Sequence, residues 1–238
     1  MEPVVQVNEL VKKYGQKEAV SGISFNINKG EIFGLIGPNG AGKTTTLRVI
    51  STLLTITSGS IKVMGYDLEK QAGEIRKIIS YLPEDAGAYK NLTGKRYLEF
   101  IANFFEPNKK QEIIKKGIQI ADLEDRIKDK VDTYSKGMQR RLLVGRALMI
   151  DPRVAILDEP TSGLDVINAR EIRNIIKNTA KSGTTFLVSS HNMLEVEYLC
   201  DRIALIDEGK IVEEGNPEAL MKKYAAKNIE EVFVGVVK

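Results

Sequence analysis

Val4 to Leu10 alternates apolar and polar positions and Ala19 to Ile27 does the same, with Tyr14-Gly15 as the turn between them, which predicts a hairpin-like edge. Glu31 to Ile36 is an apolar run too short for a helix. After a cluster of glycines, Thr44 to Leu54 carries Leu47, Ile50, Leu53 and Leu54 at helical spacing, so the order is strand, glycine loop, helix. A strand is predicted over Ile78 to Leu82. From about Leu92 to Ile150 the period is helical, with Tyr97, Ile101 and Phe104, then Ile113 to Ile120, then Met138 to Met149. This stretch reads as an inserted helical subdomain over about 85–150. Strand signals return at Val154 to Leu157, Thr184 to Ser189 and Arg202 to Ile206, interrupted by the helical stretch Asn168 to Ala180. Asp207 to Lys210 then turns into Ile211 to Glu213. The expected fold class is α/β, a mostly parallel sheet with an antiparallel β edge subdomain and an inserted helical subdomain. Residues 1–218 are expected to form one domain and 219–238 a C-terminal tail, the stretch from Pro217 onwards being helical and partly exposed.

Composition narrows the classes. With 42% hydrophobic and 28% charged residues over 238 positions, the chain can bury a core, which excludes disorder and low complexity. Lys+Arg 35 against Asp+Glu 32 leaves +3, too balanced for a dedicated nucleic-acid binder without clustering, and no basic block stands out. The single cysteine, Cys200, makes no internal disulfide, so a reducing cytoplasmic compartment is expected. The start, Met1-Glu2-Pro3-Val4, lacks a basic-then-apolar leader pattern, and no window approaches the ~18 apolar residues of a membrane span. Any membrane role is therefore expected to come through a partner.

Gly37-Pro38-Asn39-Gly40-Ala41-Gly42-Lys43-Thr44 has the spacing of a phosphate loop. Glycines let backbone N–H groups turn inward as an anion nest at a helix mouth, Lys43 adds a point charge for the terminal phosphates, and Thr44 offers a hydroxyl to Mg²⁺. An ordinary glycine-rich turn is the plain alternative. Asp158 and Glu159 end the apolar run Val154 to Leu157, so a buried strand delivers two carboxylates to the sheet edge. Asp158 is placed for the Mg²⁺ shell and Glu159 to orient or deprotonate the attacking water, whereas in isolation they read as a solvated strand end. Tyr134-Ser135-Lys136-Gly137-Met138-Gln139 reads alone as a helix cap, yet beside a phosphate loop its serine, glycine and helix N-terminus make a second anion site.

Taken together the chain resembles the ATP-binding-cassette (ABC) ATPases from Val4 to Gly215, with the motifs in the family's order. Residues 37–44 look like Walker A, 134–139 resemble the signature, and Val154 to Pro160 looks like Walker B. Thr161 to Asp165 is similar to the D-loop, and Ser189-Ser190-His191 to the switch. The resemblance implies a P-loop NTPase core and a head-to-tail dimer, homo- or heterodimeric, in which ATP with Mg²⁺ lies between one chain's Walker A and the other's signature. Gly42, Lys43, Thr44 and Thr45 would then hold a γ-phosphate on which the partner chain's residues at positions 135 and 137 close. It also implies that His191, the only histidine, contacts the γ-phosphate, and that Tyr14 stacks on adenine; alone, these read as a surface residue and a hairpin aromatic.

Two departures stand out. Glu84 occupies the place after Ile78 to Leu82 where the family has a glutamine, and is expected to be a Mg²⁺ ligand rather than an idle loop acid. The signature differs at Lys136 and Met138, and Lys136 either adds a cation near the partner's phosphates or solvates the loop. The ending Asn228 to Phe233 looks like that of the drug- and sodium-export branch. The function expected is the ATPase subunit of an exporter, peripheral on the inner face of the membrane through a separate transmembrane permease. The alternative, a nucleic-acid-associated ABC ATPase, lacks the coiled-coil insertion, second cassette or basic linker it usually carries, so no nucleic-acid partner is expected.

Overall fold

The strands sort into two sheets. The structure, a computed structural model, describes residues 3–105 and 107–237. Met1, Glu2 and Lys238, which the expectations for the start and the tail touch, lie outside the described residues.

β1 (Val5–Tyr14) and β2 (Lys17–Ile27) form the expected hairpin, and β4 (Ser58–Val63) pairs with the other edge of β1, giving an antiparallel sheet in the order β2-β1-β4-β5 with β5 (Tyr66–Asp67). β4 escapes a reading by hydrophobicity because it begins Ser58-Gly59-Ser60 and buries only Ile61 and Val63. The second sheet runs β10-β9-β3-β8-β7-β6, with β3 (Ile32–Ile36), β6 (Ile79–Leu82), β7 (Val154–Asp158), β8 (Thr185–Ser190) and β9 (Arg202–Asp207) parallel. β10 (Lys210–Gly215) folds back antiparallel on β9 through a turn with φ 45° at Glu208 and 78° at Gly209.

Because side chains alternate along a strand, the parallel sheet feeds two cores. Phe33, Leu35, Val154, Ile156 and Leu187 face the antiparallel sheet and α1 (Lys43–Ile50), and Phe25 of β2 stacks on Phe33 with ring centroids 5.2 Å apart. Ile32, Ile36, Ala155, Leu157, Phe186 and Val188 face the other way, onto α5 (Lys136–Leu148) and α6 (Val166–Lys181). The helical stretch expected over 85–150 contains α3 (Gly94–Ala102), α4 (Lys110–Ala121) and α5; ahead of it, a short helix not anticipated from sequence, α2 (Ala72–Ile78), leads into β6.

Two details differ from expectation. The helix predicted to Leu54 ends at Ile50, because Thr52 turns left-handed (φ 62°) and the Leu53 N–H donates back to the Arg48 carbonyl at 2.9 Å, leaving Leu53 exposed. The C-terminal segment is more than a trailing end: after α7 (Met193–Val196) and α8 (Pro217–Tyr224), α9 (Ile229–Val237) buries Ile229 and Val232 fully in the core shared with α5 and α6.

Register decides where chemistry can sit. Ile36 pairs with Ser190, Asp158 with Ser189 and Leu82 with Leu157, so the chain leaves four parallel strands at one carboxyl edge. Gly37, Glu84, Glu159 and His191 all follow at that edge. Phe33→Ala, which deletes a fully buried ring stacked across the two sheets, is expected to cost about 3–5 kcal/mol of unfolding free energy in denaturant titration.

Candidate nucleotide site

The loop between β3 and α1 is built against backbone that only glycine tolerates. A Cβ at Gly37 would stand 2.0 Å from the Ile206 carbonyl oxygen, and one at Gly42 2.5 Å from the Ala19 carbonyl oxygen. Gly40 and Gly42 also have φ of 87° and 105°, in the region that favours glycine. The loop is therefore pressed onto β9 on one side and β2 on the other. Ala41, buried beneath it, accepts the Gly209 N–H at 3.0 Å.

Lys43 heads α1 and is 5% exposed; its Nζ donates to the carbonyls of Gly37 (2.7 Å) and Pro38 (3.1 Å) and lies 3.5 Å from Glu159 Oε1. Glu159, 4% exposed, directly follows β7 with φ 47°. Its N–H donates to Ser189 Oγ at 3.0 Å, and its Oε2 lies 2.9 Å from His191 Nδ1. Oε1 makes no hydrogen bond among the described residues. A buried carboxylate oxygen with only an ammonium nearby is primed for a further donor. Asp158 is tied down more fully. Oδ1 accepts from Ser189 Oγ (2.6 Å) and Thr44 Oγ1 (3.2 Å), and Oδ2 from the Tyr81 hydroxyl at 3.4 Å. Burial, and next the Asp158 charge, pushes the Tyr81 phenol above its ordinary value, which keeps it a donor.

These residues border a cavity of about 240 Å³. Asn39, Gly40, Gly42, Lys43, Thr44 and Thr45 form its floor, Glu84 and Glu159 one side, and Tyr14, Lys17 and Ala19 the other. Tyr14 is 47% exposed, with Lys12 Nζ 5.3 Å from its ring centroid, so one end of the cavity carries an accessible aromatic face. Glu84 is exposed and accepts from Ser162 Oγ at 3.3 Å. A second cavity of about 220 Å³ shares Glu159 and is lined by residues 161–164 and by His191.

The residues fit Mg²⁺ by chemistry: Thr44, Asp158 and Glu84 offer only oxygen donors, two of them 3.2 Å apart. Among the described residues no group of three His, Cys, Asp or Glu side chains is placed to hold a metal ion by itself.

The signature lies elsewhere. None of residues 134–139 lines either cavity. Ser135 caps α5, its Oγ accepting the Met138 N–H at 3.2 Å, and Ser135 and Lys136 are exposed. Gln139 turns back to donate to the Tyr134 carbonyl at 3.2 Å. Gly137 is buried against α6, where a Cβ would stand 2.0 Å from Asn168 Oδ1. Asp165 caps α6 by accepting the Asn168 N–H at 3.0 Å, so signature and D-loop meet through Asn168.

Arg140 was not anticipated from the sequence. It lies just past the signature, 7% exposed, and donates to the carbonyls of Pro160 (2.7 Å), Asp158 (3.3 Å), Glu84 (3.2 Å), Pro83 (3.4 Å) and Glu159. Burial pulls its guanidinium below the ordinary value, and the charges of Glu84, Asp158 and Glu159 oppose that shift. Only a tertiary fold can bring it to those carbonyls; in sequence it reads as one more basic residue of an amphipathic helix.

Gly37→Ala is expected to weaken ATP binding about tenfold or more in a fluorescent-nucleotide titration, since the backbone clash must be relieved by moving the loop. Asp165 behaves differently with pH. The Asn168 N–H holds its carboxyl below the usual range, so its contribution to stability is present above the unfolded-state value and is lost as pH falls through the folded one. The melting-temperature gap between wild type and Asp165→Ala is expected to shrink on acidification below the ordinary carboxylate range.

Residues 20–162 match the family described as ABC transporter. The linearmycin resistance ATP-binding protein of Bacillus subtilis (strain 168) is 38% identical over 97% of this chain and 75% of its own. The bacitracin transport ATP-binding protein of Bacillus licheniformis is 39% identical over 90% of this chain and 70% of its own. A solved ATP-binding subunit of an ABC transporter superposes with TM-score 0.86 at 25% identity, covering 99% of this chain and all of that one. The chain belongs to the ATP-binding subunits of ABC transporters and is an ATPase.

Proposed function

We propose that this chain powers export through a separate membrane-embedded permease by clamping ATP between two ATPase chains. The observation that carries the clamp is the separation of its two anion sites. The cavity bearing Lys43, Thr44 and Glu159 is lined without residues 134–139, while Ser135 and Lys136 stand exposed at the mouth of α5. A capped helix N-terminus offers N–H groups and positive dipole to a phosphate, and its separation from the cavity supports a role toward a nucleotide held by another chain.

Within the cavity the triphosphate lies over the amides of residues 37–44, Lys43 exchanges its loop carbonyls for phosphate oxygens, and the adenine stacks on Tyr14. Thr44, Asp158 and Glu84 would hold Mg²⁺, which when bound offsets charge on the β- and γ-phosphates. Glu159 Oε1 receives the water's hydrogen bond and takes its proton as water attacks the γ-phosphorus, a contribution of ~10²–10⁴ in rate. His191, paired with Oε2, fixes the carboxylate and lines the second cavity, which shares Glu159. ADP and phosphate leave, and the clamp loosens because part of its interface was the nucleotide.

Among the described residues no helix is long and apolar enough to cross a membrane, so transport requires a permease, with this chain on its cytoplasmic side. The docking face is the loop 83–95 and α3. There Tyr89, Phe100 and Phe104 stack edge to face with centroids 5.4 Å apart in each successive pair, each exposed, above a groove of about 420 Å³. Cargo of the kind handled by the relatives named for linearmycin resistance and bacitracin transport is the class favoured.

Glu159→Gln removes the base while keeping the shape. With ATP and Mg²⁺ it is expected to accumulate as a dimer in light scattering and to lose hydrolysis by about two orders of magnitude or more. A protein that binds ATP and stays monomeric would rule out the clamp.

A further inference from the structure

Glu159 occupies a backbone conformation that few residues other than glycine adopt, with φ 47°. Such a conformation persists only where neighbours over-determine it. Here the N–H is fixed by Ser189 Oγ at 3.0 Å, and the carbonyl accepts from Arg140 Nη2 and from the Ser162 N–H at 3.1 Å. The peptide is therefore held from both ends, and the side chain is turned back toward Lys43 and His191.

Arg140 is an unusual anchor. Its guanidinium spends its five N–H donors on main-chain carbonyls and, among the described residues, forms no ion pair within hydrogen-bonding distance. The donors divide between two segments. Nε and Nη2 hold Pro160, Asp158 and Glu159 at the end of β7, while Nη1 holds Pro83 and Glu84 at the end of β6. A planar fork cannot shift one set of bonds without straining the other.

We propose that Arg140 is a positioning residue for hydrolysis, fixing the left-handed peptide of Glu159 and locking it to the loop that carries Glu84. Displacement of that loop then alters the aim of the Glu159 carboxylate without altering the phosphate loop, so turnover responds while nucleotide affinity measured without Mg²⁺ does not. The inference rests on Glu159 being the group that activates water.

The test uses the purified chain in wild-type, R140K, R140A and E159Q forms, with steady-state ATPase kinetics, fluorescent-nucleotide affinity and melting temperature measured for each. R140A is expected to lose about 10- to 100-fold in kcat, the scale of a small misplacement of a reacting group. Nucleotide Kd measured without Mg²⁺ should stay within about twofold of wild type, because the phosphate loop is untouched. R140K, which keeps the charge and part of the donor set, should recover part of kcat. Millimolar guanidinium ion, but not an equal concentration of sodium, should raise the rate of R140A by refilling the space between the carbonyls. A wild-type kcat in R140A would overturn the proposal. So would a loss in which kcat, affinity and stability fall together and neither lysine nor guanidinium restores turnover. If instead E159Q hydrolyses ATP at the wild-type rate, the reading of Glu159 fails and the positioning role fails with it.

Discussion

A lysine ammonium and a glutamate carboxylate, both almost wholly buried and 3.5 Å apart, sit at the centre of this molecule. Lys43 and Glu159 belong to segments 116 positions apart in sequence, and neither could be buried without the other or without extra hydrogen bonds. The loop carbonyls of Gly37 and Pro38 supply those bonds to the lysine, and His191 Nδ1 lies 2.9 Å from the glutamate's Oε2. That arrangement requires the loop to lie against Ile206 and Ala19 at distances that forbid a Cβ, and requires β3, β8 and β7 to end in register. Sheet order, glycine placement and the strained peptide at Glu159 all serve one small volume.

Charge limits what that volume can bind on its own. Lys17 and Lys43 line the cavity together with Glu84 and Glu159, and Asp158 stands just behind, so its walls are not net positive. A triphosphate entering there needs further positive potential. The amides of residues 37–44 and the α1 dipole give part of it. A divalent cation on Thr44, Asp158 and Glu84 and the exposed N-terminus of α5 from a second chain are the proposed remainder. Glu84, in place of a neutral amide, makes the demand for cations greater.

Much of this was legible in the residues because it is written locally. The phosphate loop, the apolar run into Asp158-Glu159 and the sequence around Ser135 depend on spacing within a few positions, and β3, β6, β7, β8 and β9 show as short apolar runs. What escaped depends on tertiary contact or on polar composition. β4, paired on both sides by β1 and β5, buries only Ile61 and Val63, and β5 is a two-residue edge strand with neither side chain buried. Leu53 and Leu54 continued a helical period that backbone geometry stops at Ile50. The burial of Ile229 and Val232 needs α7 and α8 in place to be seen. Arg140 carries no local signal, since its partners are carbonyls 18 to 57 residues away.

The central claim is that each nucleotide is completed by residues of a second chain, and mixing two inactive proteins tests it most directly. Lys43→Ala lacks the phosphate-loop charge but keeps a sound signature, and Ser135→Arg blocks the signature but keeps a sound phosphate loop. The account predicts that each alone is nearly inactive and that the mixture recovers ATP hydrolysis, because a mixed pair contains one composite site with both halves intact. A mixture no more active than its components, at concentrations where the wild type hydrolyses ATP, would contradict it.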